Sequence, residues 1–105
     1  MNKFLEKLLA QLESYRKNSG LTYFDRYSLE TTVGKRYIKV CRVEIGAKGE
    51  RSGNYLICFV ENTTGDIFKP ASWAAPAKIA RGNVNSPENG MEAVTPDGFV
   101  RYLRG

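Results

Sequence analysis

The sequence feature that most constrains the fold is the six-residue apolar run Tyr55–Val60. Its β-branched and aromatic side chains are typical of a β-strand. Because successive side chains of a strand point to opposite sides of a sheet, this strand is apolar on both faces. Such a strand lies inside a sheet that is covered on both sides. For a chain of 105 residues we expect one domain, 1–105, in which the remaining segments supply both covers.

The segment 1–19 is predicted to form an amphipathic helix. Apolar residues recur at helical spacing, charged residues fill the other side, and Asn18-Ser19-Gly20 ends the pattern. The apolar stripe can pack on the sheet or pair with its copy in a homodimer, and packing is favoured because a lone sheet needs a cover. Acidic residues on the polar face disfavour a membrane-surface helix. The stripe consists of Phe4, Leu5, Leu8, Leu9 and Leu12.

The pattern then changes to short runs rich in β-branched and aromatic residues, which predict a hairpin around Gly34-Lys35. The predicted fold class is α+β: the N-terminal helix packs on a small curved antiparallel sheet of four to five strands, with a short helix after a corner at Trp73. In chain order, the remaining predictions are a charged loop over Gly46–Gly53, a turn over Asn62–Asp66, a strand from Ile67 that ends at Pro70 or lies at a sheet edge, a loop over 83–98 and a closing strand over Phe99–Leu103.

The short helix is predicted over Trp73–Arg81. Ser72 is a suitable cap, Pro76 falls in the first turn, and Gly82 is a stop signal. Neighbouring alanines permit close packing, so the single tryptophan is expected to plug the core. The three cations of this segment, Lys69, Lys78 and Arg81, are then left for the surface.

The charge balance favours an anionic partner. Sixteen Lys and Arg against eleven Asp and Glu give a net charge of +5, and small basic domains commonly bind nucleic acid. A net charge of this size also serves solubility alone. The acid-free interval between Asp66 and Glu88 concentrates the positive charge locally.

Several other classes of function are disfavoured. The chain has no histidine, no phosphate-binding loop and no closely spaced cysteine pair, so we expect no metal, no cofactor and no enzymatic activity. Cys41 and Cys58 lie in apolar runs, as buried thiols of a cytoplasmic protein do. Neither a signal peptide nor a membrane-spanning run is recognisable in the sequence.

Binding to a single strand requires cations along the phosphates and aromatic rings that stack on bases. Alternation along the second predicted strand places Arg36 and Arg42 on one face and Tyr37 and Lys39 on the other. With Lys35, these cations extend over about 20 Å, which is enough to follow several phosphates. The candidate binding residues are Lys35, Arg36, Tyr37, Lys39, Arg42, Tyr55, Lys69, Trp73, Lys78 and Arg81.

The segment from Gly34 to the C-terminus resembles a family of small uncharacterised viral proteins found in bacteriophages and environmental viral sequences. The resemblance is carried by the run Gly-Asp-(Ile or Val)-x-Lys-x-Ala-Ser-Trp-x-Ala-Pro-Ala-Lys-x-x-Arg-Gly-Asn, which begins here at Gly65. This chain has Ile79 where the family pattern has histidine, so a role that depends on that histidine does not carry over. The resemblance implies a viral origin and no named activity.

These observations favour a viral protein that binds nucleic acid, with sequence-nonspecific binding of single-stranded DNA during genome replication or packaging as the expected role. The alternative is a protein-interaction module, either a virion component or an inhibitor of a host protein, that uses the leucine stripe or the Trp73 segment. An enzyme of an unrecognised class is the third hypothesis.

Overall fold

The computed structural model describes residues 1–102. One helix packs on an open five-stranded antiparallel sheet whose strands follow each other in chain order, as the predicted α+β fold requires. The helix is α1 (Asn2–Asn18), and the strands are β1 (Arg26–Val33), β2 (Tyr37–Ile45), β3 (Arg51–Glu61), β4 (Asp66–Phe68) and β5 (Gly82–Asn83). A single 3-10 turn, Met91–Ala93, follows. Within residues 1–102, no helix is long and apolar enough to cross a membrane.

The apolar stripe of α1 lies on the sheet. Phe4, Leu8 and Leu12 are fully buried, and they share one core with residues from β1 to β4. Their spacing of four residues places them on one side of the helix. Burial of each such side chain stabilises the fold by about 1.5–3 kcal/mol. These three residues of the stripe are therefore packed in the core and are unavailable for pairing with a second copy.

β3 is the central strand, as its two apolar faces predict. Two register shifts against β2 leave Ile57 and Gly53 without direct partners, so β3 carries an extra residue at each point. At the first shift, both Ile57 and Cys58 join the core under α1. Phe59 is buried on the opposite side, where it contacts Tyr37. We call these two sides the helix face and the outer face.

Three predictions about element boundaries were wrong. β3 begins at Arg51, inside the segment predicted as a loop, because Arg51 and Ser52 pair with the end of β2. The closing strand reduces to one bridge between Val94 and Val100, although Leu103 lies outside the described residues. The fifth strand is Gly82–Asn83, which pairs with β4.

The C-terminal segment turns tightly against α1. The amide of Thr95 donates to Phe99 O at 2.7 Å, and Gly98 adopts a positive φ of 85° between them. A Cβ atom at Gly98 would lie 2.3 Å from Leu12 Cδ2. Glycine is therefore required here both by the backbone conformation and by the close approach of the helix.

The predicted helix over Trp73–Arg81 does not form; residues 69–81 instead make a loop, which we call the Trp loop. Pro70 and Pro76 form a bridge, and the amides of Ala71 and Ser72 both donate to Ala75 O. Pro76 lacks an amide hydrogen and disfavours helical backbone at Ala75. The backbone groups of this segment therefore form hydrogen bonds within a tight loop instead of a helix. Ser72 Oγ accepts from the Ala74 amide at 3.3 Å without capping a helix.

Candidate nucleic-acid interface

A groove of about 330 Å³ opens on the outer face, between the β1–β2 turn and the Trp loop. Its lining includes three cations and two aromatic rings. Among the described residues that line it there is no carboxylate. Proteins that bind single-stranded nucleic acids combine cations along a groove with aromatic rings on which bases stack. These lining residues are Lys35, Arg36, Tyr37, Lys39 and Phe59, and Ala74 is the contribution of the Trp loop.

Aromatic residues from three strands pack against each other on the outer face, and two of them, Tyr37 and Phe59, line the floor of the groove. The ring of Tyr37 meets Phe59 with a centroid distance of 6.0 Å and Phe68 with one of 5.8 Å, both edge to face. Phe59 and Phe68 are buried neighbours across β3 and β4. Such contacts fix the rings in place. Neither phenylalanine is among the residues predicted from the sequence, although the two-faced apolar pattern of β3 indicates a second packed face.

Lys39 connects the floor to the Trp loop. Its ammonium nitrogen lies 5.8 Å from the centroid of Phe59 and 4.9 Å from that of Trp73. Both distances are within the range of a cation–π interaction. Lys39 is half-buried and lines the groove.

Trp73 is 53% exposed, so the prediction that it plugs the core was wrong. The reason is the missing helix. The predicted helix would have packed its alanines and Trp73 against the core. In the loop that forms instead, the Trp73 ring lies on the outer face beside Lys39. Tryptophan is one of the aromatic residues that are enriched at binding interfaces.

Arg36 stands at the rim with a side chain that is 69% exposed. Its guanidinium carbon lies 5.1 Å from the Tyr37 centroid, and Nη2 lies 3.7 Å from Glu61 Oε2. An ion pair of this length whose guanidinium is solvent-exposed contributes little, so the guanidinium can exchange the carboxylate for a phosphate.

Asn62 shapes the rim, and the sequence analysis missed it. Its side-chain amide donates to Gly34 O at 2.9 Å and to Lys35 O at 3.2 Å, while its backbone amide donates to Arg36 O at 2.8 Å. Three bonds from one residue hold the β1–β2 turn in a fixed shape. The turn sequence after β3 predicts a polar residue at this place, but it does not indicate that the residue bonds to the β1–β2 turn.

Two of the candidate residues lie on the other side of the sheet. Arg42 is only 8% exposed, and its guanidinium carbon lies over the rings of Tyr27, Tyr55 and Phe99. Arg42 and Tyr55 pair across β2 and β3 on the helix face. A basic patch that joins Lys39 to Arg42 therefore does not exist, since strand alternation separates them.

The other three candidates lie outside the groove lining. Lys69 Nζ donates to Val100 O at 3.1 Å and lies 3.9 Å from the Tyr102 centroid, so it already has intramolecular partners. Lys78 is exposed on the Trp loop. Arg81 bonds to Ile79 O, and its Nε is buried without a partner among the described residues. The groove thus gathers five of the ten predicted residues: Lys35, Arg36, Tyr37, Lys39 and, beside it, Trp73.

The thiols are unsuited to nucleophilic chemistry. Cys41 and Cys58 are free and buried, as predicted, and burial raises the pKa of each thiol. A thiol with a raised pKa supplies little thiolate at neutral pH. Within residues 1–102, no group of three histidine, cysteine or acidic side chains is placed to hold a metal ion.

The fold and the groove define a small α+β protein with a helix-covered antiparallel sheet and a basic, aromatic outer face. The chain belongs to a family of unknown function, DUF7717, whose model matches residues 1–103. No curated protein and no solved structure matches this chain.

Proposed function

We propose that the protein binds single-stranded nucleic acid through the outer-face groove, without catalysis and without sequence specificity. The observation that carries this proposal is the groove lining, which combines three cations with aromatic rings and no carboxylate among the described residues. Cations neutralise phosphates, and rings accept any base because every base has a π face.

The role proposed for each groove residue follows from the solvent exposure of its side chain. Lys35 and Arg36 are exposed at the rim and serve as phosphate contacts. Trp73 offers an exposed ring for stacking, whereas Phe59 is buried and supports the floor. Lys39 stands between these two rings, so its charge is held in place before a strand arrives. A preorganised charge loses less side-chain entropy on binding.

A duplex fits this surface less well. Stacking on Trp73 requires an unpaired base. The groove is lined by strand residues, the β1–β2 turn and the Trp loop, and among the described residues it presents no helix that could enter a major groove. We therefore place the protein with single strands during replication or packaging of a viral genome, in the cytoplasm of the host. The viral setting comes from the sequence resemblance and belongs to the proposal.

The decisive experiment is a fluorescence anisotropy titration with labelled single-stranded DNA, single-stranded RNA and duplex DNA at two salt concentrations. We expect single strands to bind at low salt and to weaken steeply at higher salt, because binding releases counterions. Equal affinity for different single-strand sequences would support nonspecific binding. A complete lack of binding at low salt would eliminate the proposal.

The titration is repeated with the variant Lys35→Ala, Arg36→Ala, Lys39→Ala and with a matched variant that removes cations outside the groove, Lys3→Ala, Lys17→Ala, Lys48→Ala. Both variants lose three positive charges. If the groove is the site, the first variant loses far more affinity than the second. Equal losses would show that only the net charge of the protein matters.

A protein-interaction role is the alternative, with the exposed Trp73 as its anchor. The leucine stripe no longer supports it, because Phe4, Leu8 and Leu12 are fully buried. Recovery of one host or virion protein in fixed ratio, together with no binding to single strands, would favour this alternative.

A further inference from the structure

β1 is an open edge of the sheet. It pairs with β2 along its whole length of 8 residues, and its other side carries no strand among residues 1–102. Such an edge presents a row of backbone N–H and C=O groups to a further strand, and proteins commonly block it with proline, lysine or a bulge. β1 has neither proline nor lysine, its register against β2 has no shift, and residues 30–33 are exposed. The edge is therefore available to a second strand.

The hydrogen bonds of the β1–β2 turn identify the residues of β1 that bond outwards. The amide of Gly34 donates to Tyr37 O at 2.9 Å, so these two residues form a hydrogen-bonded pair. Hydrogen-bonded pairs recur at every second residue of an antiparallel ladder. In the unshifted register of β1, the even-numbered residues therefore bond to β2 and the odd-numbered residues bond away from it.

A carboxylate of α1 blocks the first of these outward positions. The amide of Tyr27 donates to Glu13 Oε1 at 2.7 Å. Further along β1, no described residue bonds to the outward backbone groups. One of the residues concerned, Val33, is apolar and yet 72% exposed. The residues with open outward groups are Leu29, Thr31 and Val33.

We propose that β1 pairs with β1 of a second copy of this chain, antiparallel and with Thr31 opposite the partner's Thr31. In this register each open amide donates to an outward carbonyl of the other copy. Leu29 lies opposite the partner's Val33, so the exposed valine gains an apolar cross-strand neighbour. Because the same three residues serve both copies, the edge is complementary to itself, and this favours a second copy over an unrelated peptide.

The charge of Glu30 excludes one neighbouring register. A symmetric pairing centred on Glu30 would place two carboxylates directly opposite each other, which is destabilising. With Thr31 at the centre, Glu30 instead faces the partner's Thr32 and remains available to its ion pair with Arg51.

The ends of the open edge exclude two further registers. A pairing centred on Leu29 would require the outward amide of Tyr27, which already donates to Glu13. A pairing centred on Thr32 would bring Leu29 opposite Lys35, which lies in the turn beyond the end of β1. The register centred on Thr31 uses every open group.

The pairing places both outer-face grooves on one surface. Opposite residues of paired strands project to the same face of a sheet, so the two copies present their outer faces on the same side. Thr32 of β1 lines the groove, which puts the two grooves on either side of the paired strands. A single nucleic-acid strand that bridges both grooves rests on the proposed function, whereas the dimer itself does not.

Sedimentation velocity of the full chain over a wide range of concentrations tests the pairing. We expect a reversible monomer–dimer equilibrium that added salt does not weaken, because screening reduces the repulsion between two chains of net charge +5. Binding of single strands weakens with salt, so a failure of the dimer and a failure of the groove are distinguishable. A chain that stays monomeric at every concentration would overturn the proposal and leave an extended peptide of another protein as the occupant of the edge.

Val33→Lys places a charge on the paired edge, and Ile79→Lys on the Trp loop is the matched control. Both variants replace an exposed β-branched residue by lysine. Val33→Lys removes both of the pairs between Leu29 and Val33 and should weaken self-association roughly tenfold, whereas Ile79→Lys should leave it unchanged. Equal effects of the two variants would overturn the proposal.

Engineered cysteines report the register. Thr31→Cys places two thiols across a hydrogen-bonded pair, where the Cα atoms are about 5.5 Å apart and within the range of a disulfide. Thr32→Cys places them farther apart, on opposite sides of the two-fold axis. We expect mild oxidation to cross-link Thr31→Cys but neither Thr32→Cys nor the wild type, whose Cys41 and Cys58 are buried. Faster cross-linking of Thr32→Cys than of Thr31→Cys would overturn the register.

Discussion

The ammonium nitrogen of Lys39 lies 4.9 Å from the centroid of the Trp73 ring, so a cation of β2 holds the exposed ring of the Trp loop. This contact places the two components of a single-strand site, charge and stacking surface, side by side. Substituting Lys39 or Trp73 alone therefore tests the charge and the stacking surface separately.

We predict that Lys39→Gln lowers the affinity for single-stranded DNA and reduces the salt dependence of binding. One lost phosphate contact reduces the magnitude of the negative slope of log K against log salt by about 0.7 for a single strand. The slope is obtained from anisotropy titrations over a salt series. Lys48→Gln removes one charge from the exposed β2–β3 loop and serves as the control. If both variants change the slope equally, Lys39 has no special role.

Trp73→Ala should weaken single-strand binding by about 1–3 kcal/mol, the usual contribution of one base stacked on an aromatic ring. The thermal midpoint should change little, because the ring is 53% exposed and outside the core. As the only tryptophan, Trp73 also reports directly through its fluorescence. Strand binding that leaves this fluorescence unchanged would place the strand elsewhere on the protein.

Leu8→Ala should destabilise the protein by about 2–5 kcal/mol, since Leu8 is fully buried and its truncation leaves a cavity. Urea denaturation measures the free energy of unfolding. Glu6→Ala, on the exposed side of the same helix, is the matched control and should lie within about 0.5 kcal/mol of the wild type. A near-neutral Leu8→Ala would contradict the packing of α1 on the sheet.

Glu92 should contribute stability that depends on pH. Burial alone would raise the pKa of Glu92, but hydrogen bonds from Ser86 Oγ at 2.7 Å and from the Asn83 amide at 2.9 Å outweigh burial and lower it. A lowered pKa in the folded state means that the stabilisation is present above the unfolded value of 4.5 and is lost as pH falls through the folded value.

Glu92→Gln should therefore cost about 1 kcal/mol at neutral pH, the usual net value of a hydrogen bond. The difference from the wild type should shrink below the folded pKa. Urea denaturation across a pH series provides the measurement, with Glu88→Gln in the adjoining exposed loop as control. A difference that stays constant into acid would show that the carboxylate charge is not involved.

Much of the architecture followed from local patterns. The spacing of Phe4, Leu8 and Leu12 requires a helix with one buried side, and the two-faced run Tyr55–Val60 requires a central strand. These predictions were confirmed because periodicity is a property of neighbouring residues and survives in any tertiary context that buries the apolar side.

The Trp loop shows where local signals failed. Ser72, Pro76 and Gly82 each match a helix boundary, but the bridge between Pro70 and Pro76 satisfies the backbone in another way. A short helix gains few internal hydrogen bonds relative to its nucleation cost, so a competing bridge within the segment can decide its conformation. The exposure of Trp73 followed from that outcome.

The sequence alone determined the helix stripe, the two-faced central strand and the opposite orientation of Lys39 and Arg42 along β2, because all three depend on periodicity within a segment. Only the tertiary structure decided what each cation does. Lys39 meets the Trp loop and stays at a groove, whereas Arg42 meets Tyr27, Tyr55 and Phe99 and is buried. Those partners come from distant parts of the chain, and no local pattern encodes which side of the sheet they will cover.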